Sequence, residues 1–155
     1  MQIDETITVP TDRETVIEQM QKPVVLERVI PNCTSVEQVG ERQYRAEVSE
    51  SVSRVSLDLE LDLDVTEYDP PDSFTVTVSG DAPGSNTRVE AEARYDLEDT
   101  PDDTVIDKTM TIDVSGKLAS LGVRMLRSTV NDRLQTMVAN TKAEFEPATA
   151  EESTD

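Results

Sequence analysis

The sequence predicts an α+β domain made of one strand, two short helices, six further antiparallel strands and a long terminal helix. Three observations carry this reading. Apolar and polar residues alternate at period two over most of the chain between Ser35 and Val114. Short polar breaks with glycine or proline interrupt the alternation, as hairpin turns do. After Ser115 the alternation stops, and no proline occurs from Gly116 to Glu146, so helix formers run on uninterrupted.

Ile3, Glu5, Ile7 and Val9 share one parity and predict an opening strand that ends at Pro10. Thr11 and Glu14 form a Thr-x-x-Glu capping-box pattern ahead of Val16, Ile17 and Met20, which recur at helical spacing. Pro23 is expected to break that helix, and Val24, Val25, Leu26, Val29 and Ile30 predict a second one that stops before Pro31. Val36–Val39 and Tyr44–Val52 then read as a hairpin around Gly40-Glu41-Arg42. In the next strand Val55, Leu57, Leu59, Leu61, Leu63 and Val65 take one face, and Ser56, Asp58, Glu60, Asp62, Asp64 and Thr66 take the other. That is a sheet dry on one side and wet on the other. Phe74–Val78, Val89–Leu97 and Ile106–Val114 complete the set, separated by turns at residues 69–72, 80–84 and 99–103. Ser115 is the expected N-cap of one helix reaching Glu146.

Charge and composition exclude whole classes of function. The 155 residues carry 33 acidic and 14 basic side chains, a net charge of -19. A polyanion repels phosphate backbones, so nucleic-acid binding is not expected. With no histidine, the chain has no Ser/His/Asp or Cys/His nucleophile and no imidazole metal site. The single cysteine, Cys33, closes no intrachain disulfide. The acid excess is spread along the chain and Arg outnumbers Lys by 10 to 4, a surface suited to concentrated salt, where screening removes self-repulsion. A halophilic source is the favoured reading. No apolar run reaches the ~18 residues of a membrane span, and Met1–Pro10 lacks the pattern of a signal peptide, so a cytoplasmic location is expected.

Two stretches bear a resemblance. Ile30-Pro31-Asn32-Cys33, with Ser35-Val36-Glu37-Gln38-Val39-Gly40 and Tyr44-Arg45-Ala46, is similar to the segment after the short helices in the CoxG family of carbon monoxide dehydrogenase proteins, which belongs to the START/Bet v 1-like (SRPBCC) superfamily. Val114-Ser115-Gly116-Lys117-Leu118-Ala119-Ser120-Leu121-Gly122 resembles the junction of last strand and long helix in the same family. The resemblance covers nearly the whole chain up to Phe145. It implies the helix-grip fold, a curved seven-stranded antiparallel sheet wrapped around the C-terminal helix. The expected domain spans residues 1–146, and 147–155 form an acidic, unstructured tail. Family members with an apolar membrane-attaching tail differ from this sequence, which ends with Glu151, Glu152 and Asp155.

The resemblance further implies a non-enzymatic pocket for a hydrophobic small molecule, a quinone, isoprenoid or lipid, that serves a membrane or redox enzyme system. No cofactor is implied. The residues bear on the pocket independently, because long side chains on the Leu57–Leu63 strand face small ones at Ala91 and Ala93, and the chain has no Trp and two Phe. Such a sheet leaves volume, unless Met110, Met125 and Met137 fill it. The expected lining is Leu57, Leu59, Leu61, Leu63, Phe74, Val76, Ala91, Ala93, Tyr95, Lys108, Met110 and Ile112 from the sheet, with Leu121 and Met125 from the helix.

Four features have competing readings. Asp58, Glu60, Asp62 and Asp64 stand ~7 Å apart along a strand and project in parallel, which suits a solvated face rather than a metal site. Cys33 reads as a packed thiol rather than a reactive one. Lys108 lies on the apolar parity between Ile106 and Met110, where it either snorkels to the pocket rim or offers a charge or hydrogen bond to a ligand head. The segment 116–143 holds Lys117, Arg124, Arg127, Arg133 and Lys142 against Asp132 alone. Either this cationic helix complements its own acidic sheet, or Lys117, Arg124 and Arg127 with Val123 and Leu126 form a docking surface for an anionic membrane or a protein partner. An enzyme of the cyclase or dehydratase kind and an assembly-factor domain are the rival functions. The enzyme is disfavoured because every strand carboxylate is assigned outward, leaving Lys108 and Tyr95 as the inward polar groups.

Overall fold

The structure is a computed structural model and describes residues 1–146. The expected acidic tail lies outside the described residues. In chain order the elements are β1 (Gln2–Val9), α1 (Arg13–Gln19), α2 (Pro23–Val29), β2 (Cys33–Gly40), β3 (Gln43–Val52), β4 (Val55–Asp69), β5 (Ser73–Ala82), β6 (Thr87–Asp99), β7 (Thr104–Ser115), a 3-10 turn at Ala119–Leu121 and α3 (Val123–Glu144). The strands form one antiparallel sheet in the order β1-β7-β6-β5-β4-β3-β2, so the first strand closes against the last. This is the expected helix-grip fold.

The alternation sets the faces as expected. Along β4, Val55 and Leu59 are buried while Ser56, Asp58 and Glu60 are exposed, and a register shift between Val65 and Glu67 ends the regular pattern. Opposite Leu61, Gly80 leaves room that a Cβ would take, since that atom would stand 2.5 Å from Leu61 Cδ2.

Three local expectations need correction. The first concerns the cap of α1, which is Asp12 and not Thr11. Its Oδ1 accepts from Thr15 N at 2.7 Å, a contact worth about 1 kcal/mol in typical helices. Thr11 is held instead by its backbone, with its carbonyl accepting from Thr104 Oγ1 at 2.6 Å. The second is Pro23, which opens α2 at its first position, where a missing N–H costs nothing. The third is the terminal helix, which does not start at Gly116. Ser115 ends β7, and Gly116 adopts φ +85° where a Cβ would lie 1.5 Å from Asn86 O. The 3-10 turn follows, and Gly122 at φ +99° breaks the run before α3 begins.

The buried residues form three separate clusters. Ile7, Val9, Val16, Ile17, Leu97, Ile106 and Phe145 pack where β1, α1 and the end of α3 meet. Leu26, Ile30, Tyr44, Ala46, Val48 and Leu59 join α2 to β3 and β4. Val52, Val55 and Leu118 close the end near the 3-10 turn. Between them α3 comes closest to α2 and β1 and stands off the middle of the sheet. The core is divided because its centre is not filled.

Candidate functional site

Two chambers occupy that centre. The inner one, about 160 Å3, lies against α1 and α2 and is bordered by Met20, Leu26, Val29, Tyr44, Leu63, Tyr68, Phe74, Val76, Ala93, Tyr95, Lys108 and Met110. The outer one, about 220 Å3, lies toward the start of α3 and is bordered by Leu59, Leu61, Val89, Ala91, Ile112, Val114, Leu118, Leu126, Thr129, Val130 and Arg133. Ile30, Leu63, Val78, Met110, Leu134 and Met137 border both, so the chambers meet at a waist of flexible side chains. Inner-face residues of the sheet such as Leu61, Val78, Ala91 and Ile112 keep partial accessibility beneath the helix because the space beside them is open.

Most of the expected lining is brought together. Leu59, Leu61, Leu63, Phe74, Val76, Ala91, Ala93, Tyr95, Lys108, Met110 and Ile112 all border one chamber or both. Leu57, Leu121 and Met125 border neither. Leu57 and Leu121 pack against the Val52–Val55–Leu118 cluster, and Met125 is 43 % exposed. The cause on the helix is the break at Gly122, which resets the helical phase, so α3 turns Leu126, Val130, Leu134 and Met137 inward. Of the three methionines proposed as fillers, Met110 and Met137 sit at the waist and Met125 does not.

The expectation that every strand carboxylate points outward is wrong in two places. Glu5 stands directly opposite Lys108 in the β1–β7 register, and its Oε1 lies 3.6 Å from Lys108 Nζ. Glu50 lies on the inner parity of β3 and takes Arg133 from α3 as a fork. Both carboxylates are turned in because a cation on a facing element meets each of them.

Lys108 is 4 % exposed and does not reach the rim. Its Nζ stands 3.6 Å from Met137 Sδ and 5.6 Å from the centroid of the Tyr95 ring, which stacks on Phe74. The other polar groups of the inner chamber bond to one another. Tyr44 Oη donates to Gln21 O at 2.7 Å, Gln21 Nε2 donates to Tyr68 Oη at 3.1 Å, and the Arg42 guanidinium lies 4.4 Å over the Tyr68 ring. Burial pushes the Tyr44 phenol up from its ordinary pKa. Cys33 is half-buried, burial raises its pKa as well, and its thiol donates to Ser35 O at 3.3 Å. That suits packing rather than nucleophilic chemistry.

On the helix side, Lys117, Arg124, Arg127 and Val123 are exposed and Leu126 is part-buried. Among the described residues none of these three cations makes a salt bridge, whereas Arg133 is taken by Glu50. On the outer sheet face, Arg45 pairs with Asp62 at 3.1 Å and Ser49 donates to Asp58 at 2.9 Å. No helix among the described residues is long and apolar enough to cross a membrane.

Known proteins share this geometry. A conserved protein from Geobacillus kaustophilus superposes with a TM-score of 0.83 at 25% identity, covering 94% of this chain and 95% of that one. A START superfamily protein from Mycobacterium smegmatis gives 0.68 at 12% identity over 93% and 96%. The Zhui aromatase/cyclase of a Streptomyces species gives 0.64 at 14% over 96% and 95%. At identities so low, the last two show the START-like fold alone. Among curated proteins there is no significant match. The family model for the carbon monoxide dehydrogenase protein CoxG matches residues 6–146, from β1 through the end of α3. A match across every element that builds the two chambers places this chain in the CoxG family.

Proposed function

We propose that this protein binds a hydrophobic small molecule, of quinone, isoprenoid or lipid type, between sheet and helix, and carries it without chemical change for a membrane or redox enzyme system. One observation supports this above the others. Adjoining chambers of about 160 and 220 Å3, with almost wholly apolar walls, meet at a waist of two methionines. Apolar cavities of that kind take up apolar guests. Native mass spectrometry of the purified protein, before and after organic extraction, tests the reading. A retained apolar molecule that extraction removes and that rebinds supports it; a protein that takes up no apolar molecule contradicts it.

The docking half of the reading rests on Lys117, Arg124 and Arg127, beside Val123, which is 74 % exposed. Basic and apolar groups together suit an anionic surface. Reversal at Arg124→Glu and Arg127→Glu is expected to weaken co-sedimentation with anionic liposomes at the protein's working salt, and unchanged binding would leave the helix as a complement to its own sheet. The acidic surface supports work in the cytoplasm of a salt-accumulating archaeon. A second reading, a cyclase-like enzyme, draws on the inward pair Glu5 and Lys108. Against it, the two charges face each other, and the chain has no histidine to move a proton near neutral pH.

A further inference from the structure

Lys108 and Glu5 form a charged pair whose hydrogen-bonding capacity is unfilled. An ammonium carries three donors, and among the described residues no oxygen makes a hydrogen bond with Lys108 Nζ; its one such contact is the weak acceptor Met137 Sδ at 3.6 Å. Glu5 Oε1 is buried and has no hydrogen-bond partner. A buried donor and a buried acceptor left unmade each cost of the order of 1 to 3 kcal/mol, so both stand ready for a guest. They are 3.6 Å apart, close enough for one oxygen atom to lie within hydrogen-bonding distance of both. Lys108 is also a wall residue of the inner chamber and of a smaller recess of about 40 Å3 beside it.

From this geometry we infer that the site recognises a neutral hydroxyl head on an apolar body. The hydroxyl oxygen accepts from Lys108 Nζ and its proton goes to Glu5 Oε1 as a hydrogen bond. An ether or ketone fills only the first vacancy. A carboxylate brings a second negative charge beside Glu5, and Glu5 already balances the ammonium, so an anionic head is disfavoured. Tyr95, stacked on Phe74 and bordering the same chamber, offers a flat apolar wall to the adjoining part of the guest. This inference rests on the cavity-binding reading and adds to it the chemistry of the head group.

Isothermal titration of the full chain with para-nonylphenol, para-nonylanisole and para-nonylbenzoate tests it. The phenol should bind about tenfold tighter than the anisole, the gain from one charge-assisted hydrogen bond, and tighter than the benzoate. In Glu5→Gln the benzoate should gain relative to the phenol, because Lys108 then lacks its counter-charge. In the double variant Glu5→Leu, Lys108→Met, an apolar replacement that buried pairs often tolerate, phenol and anisole should bind alike. This second variant carries the test if the single one fails to fold. A merely structural pair would shift stability without changing the order of guests. Equal binding of phenol and anisole by the natural protein overturns the head-group assignment alone, as does a preference that survives in the double variant. Binding of none of the three overturns the cavity reading together with it.

Discussion

Arg133, in the middle of α3, forks onto Glu50 of β3, with its Nε 3.0 Å from both carboxylate oxygens and its Nη2 2.8 Å from Oε1. The Glu50 carboxylate holds the guanidinium above its ordinary pKa. The pair spans the outer chamber and ties the helix to the sheet where apolar contact between them is missing.

Removing one partner therefore should cost more than removing both. Arg133→Met strands a carboxylate whose side chain is 11 % exposed, while Arg133 itself keeps 32 % of its side chain in water. The loss should be about 1 to 2 kcal/mol in urea unfolding, below the ~3 to 5 kcal/mol of a fully buried pair. The double variant Arg133→Met, Glu50→Leu should recover most of it. A double variant as weak as the single one would show that the fork contributes by shape and not by charge.

The two glycines that frame the 3-10 turn should differ in their tolerance of alanine. At Gly122 a Cβ meets nothing within 4 Å, so Gly122→Ala bears only the strain of its backbone angles, about 1 to 3 kcal/mol. At Gly116 the same change drives a Cβ into Asn86 O and Thr87 Cα as well. Gly116→Ala should be the more damaging by an amount easily resolved in chemical denaturation, and equal losses would contradict the close approach of Gly116 to the start of β6.

The melting temperature should rise from low to molar KCl. A net charge of -19 on a domain of this size repels itself when screening is weak, and salt shortens the range of that repulsion to a few Å. The surface pairs, Arg45–Asp62 and Arg88–Glu90 among them, lose a little attraction in the same salt, but exposed pairs are worth only ~0 to 1 kcal/mol each. A melting temperature indifferent to salt would remove the halophilic reading.

The sheet is largely legible in the sequence because period two leaves no freedom: once Val55 and Leu59 face inward, Asp58 and Glu60 must face out. Lys108 is legible on the same ground. Pairing across long separations is not. Glu5 shares the inner parity of Ile3 and Ile7, yet only the meeting of β1 with β7 supplies the cation that keeps a carboxylate there. Glu50 likewise waits for Arg133, 83 residues on. The helical side of the site is hidden for a different reason. Leu121 and Met125 line a cavity only if the helix runs unbroken from Gly116, and the positive φ at Gly122 is a backbone event that apolar periodicity does not register.

The most direct measurement is a fluorescence titration with the neutral apolar dye N-phenylnaphthylamine on the natural protein and on Ala91→Phe. Ala91 borders the outer chamber of about 220 Å3, so a phenyl ring there should fill space already open. Overpacking a filled core costs ~1 to 3 kcal/mol, whereas this change should cost less than that. Saturable binding to the natural protein is expected, together with its loss in a variant whose unfolding midpoint barely moves. Binding unaffected by the phenyl ring, or a variant that is strongly destabilised, would show that the space between sheet and helix is not the site.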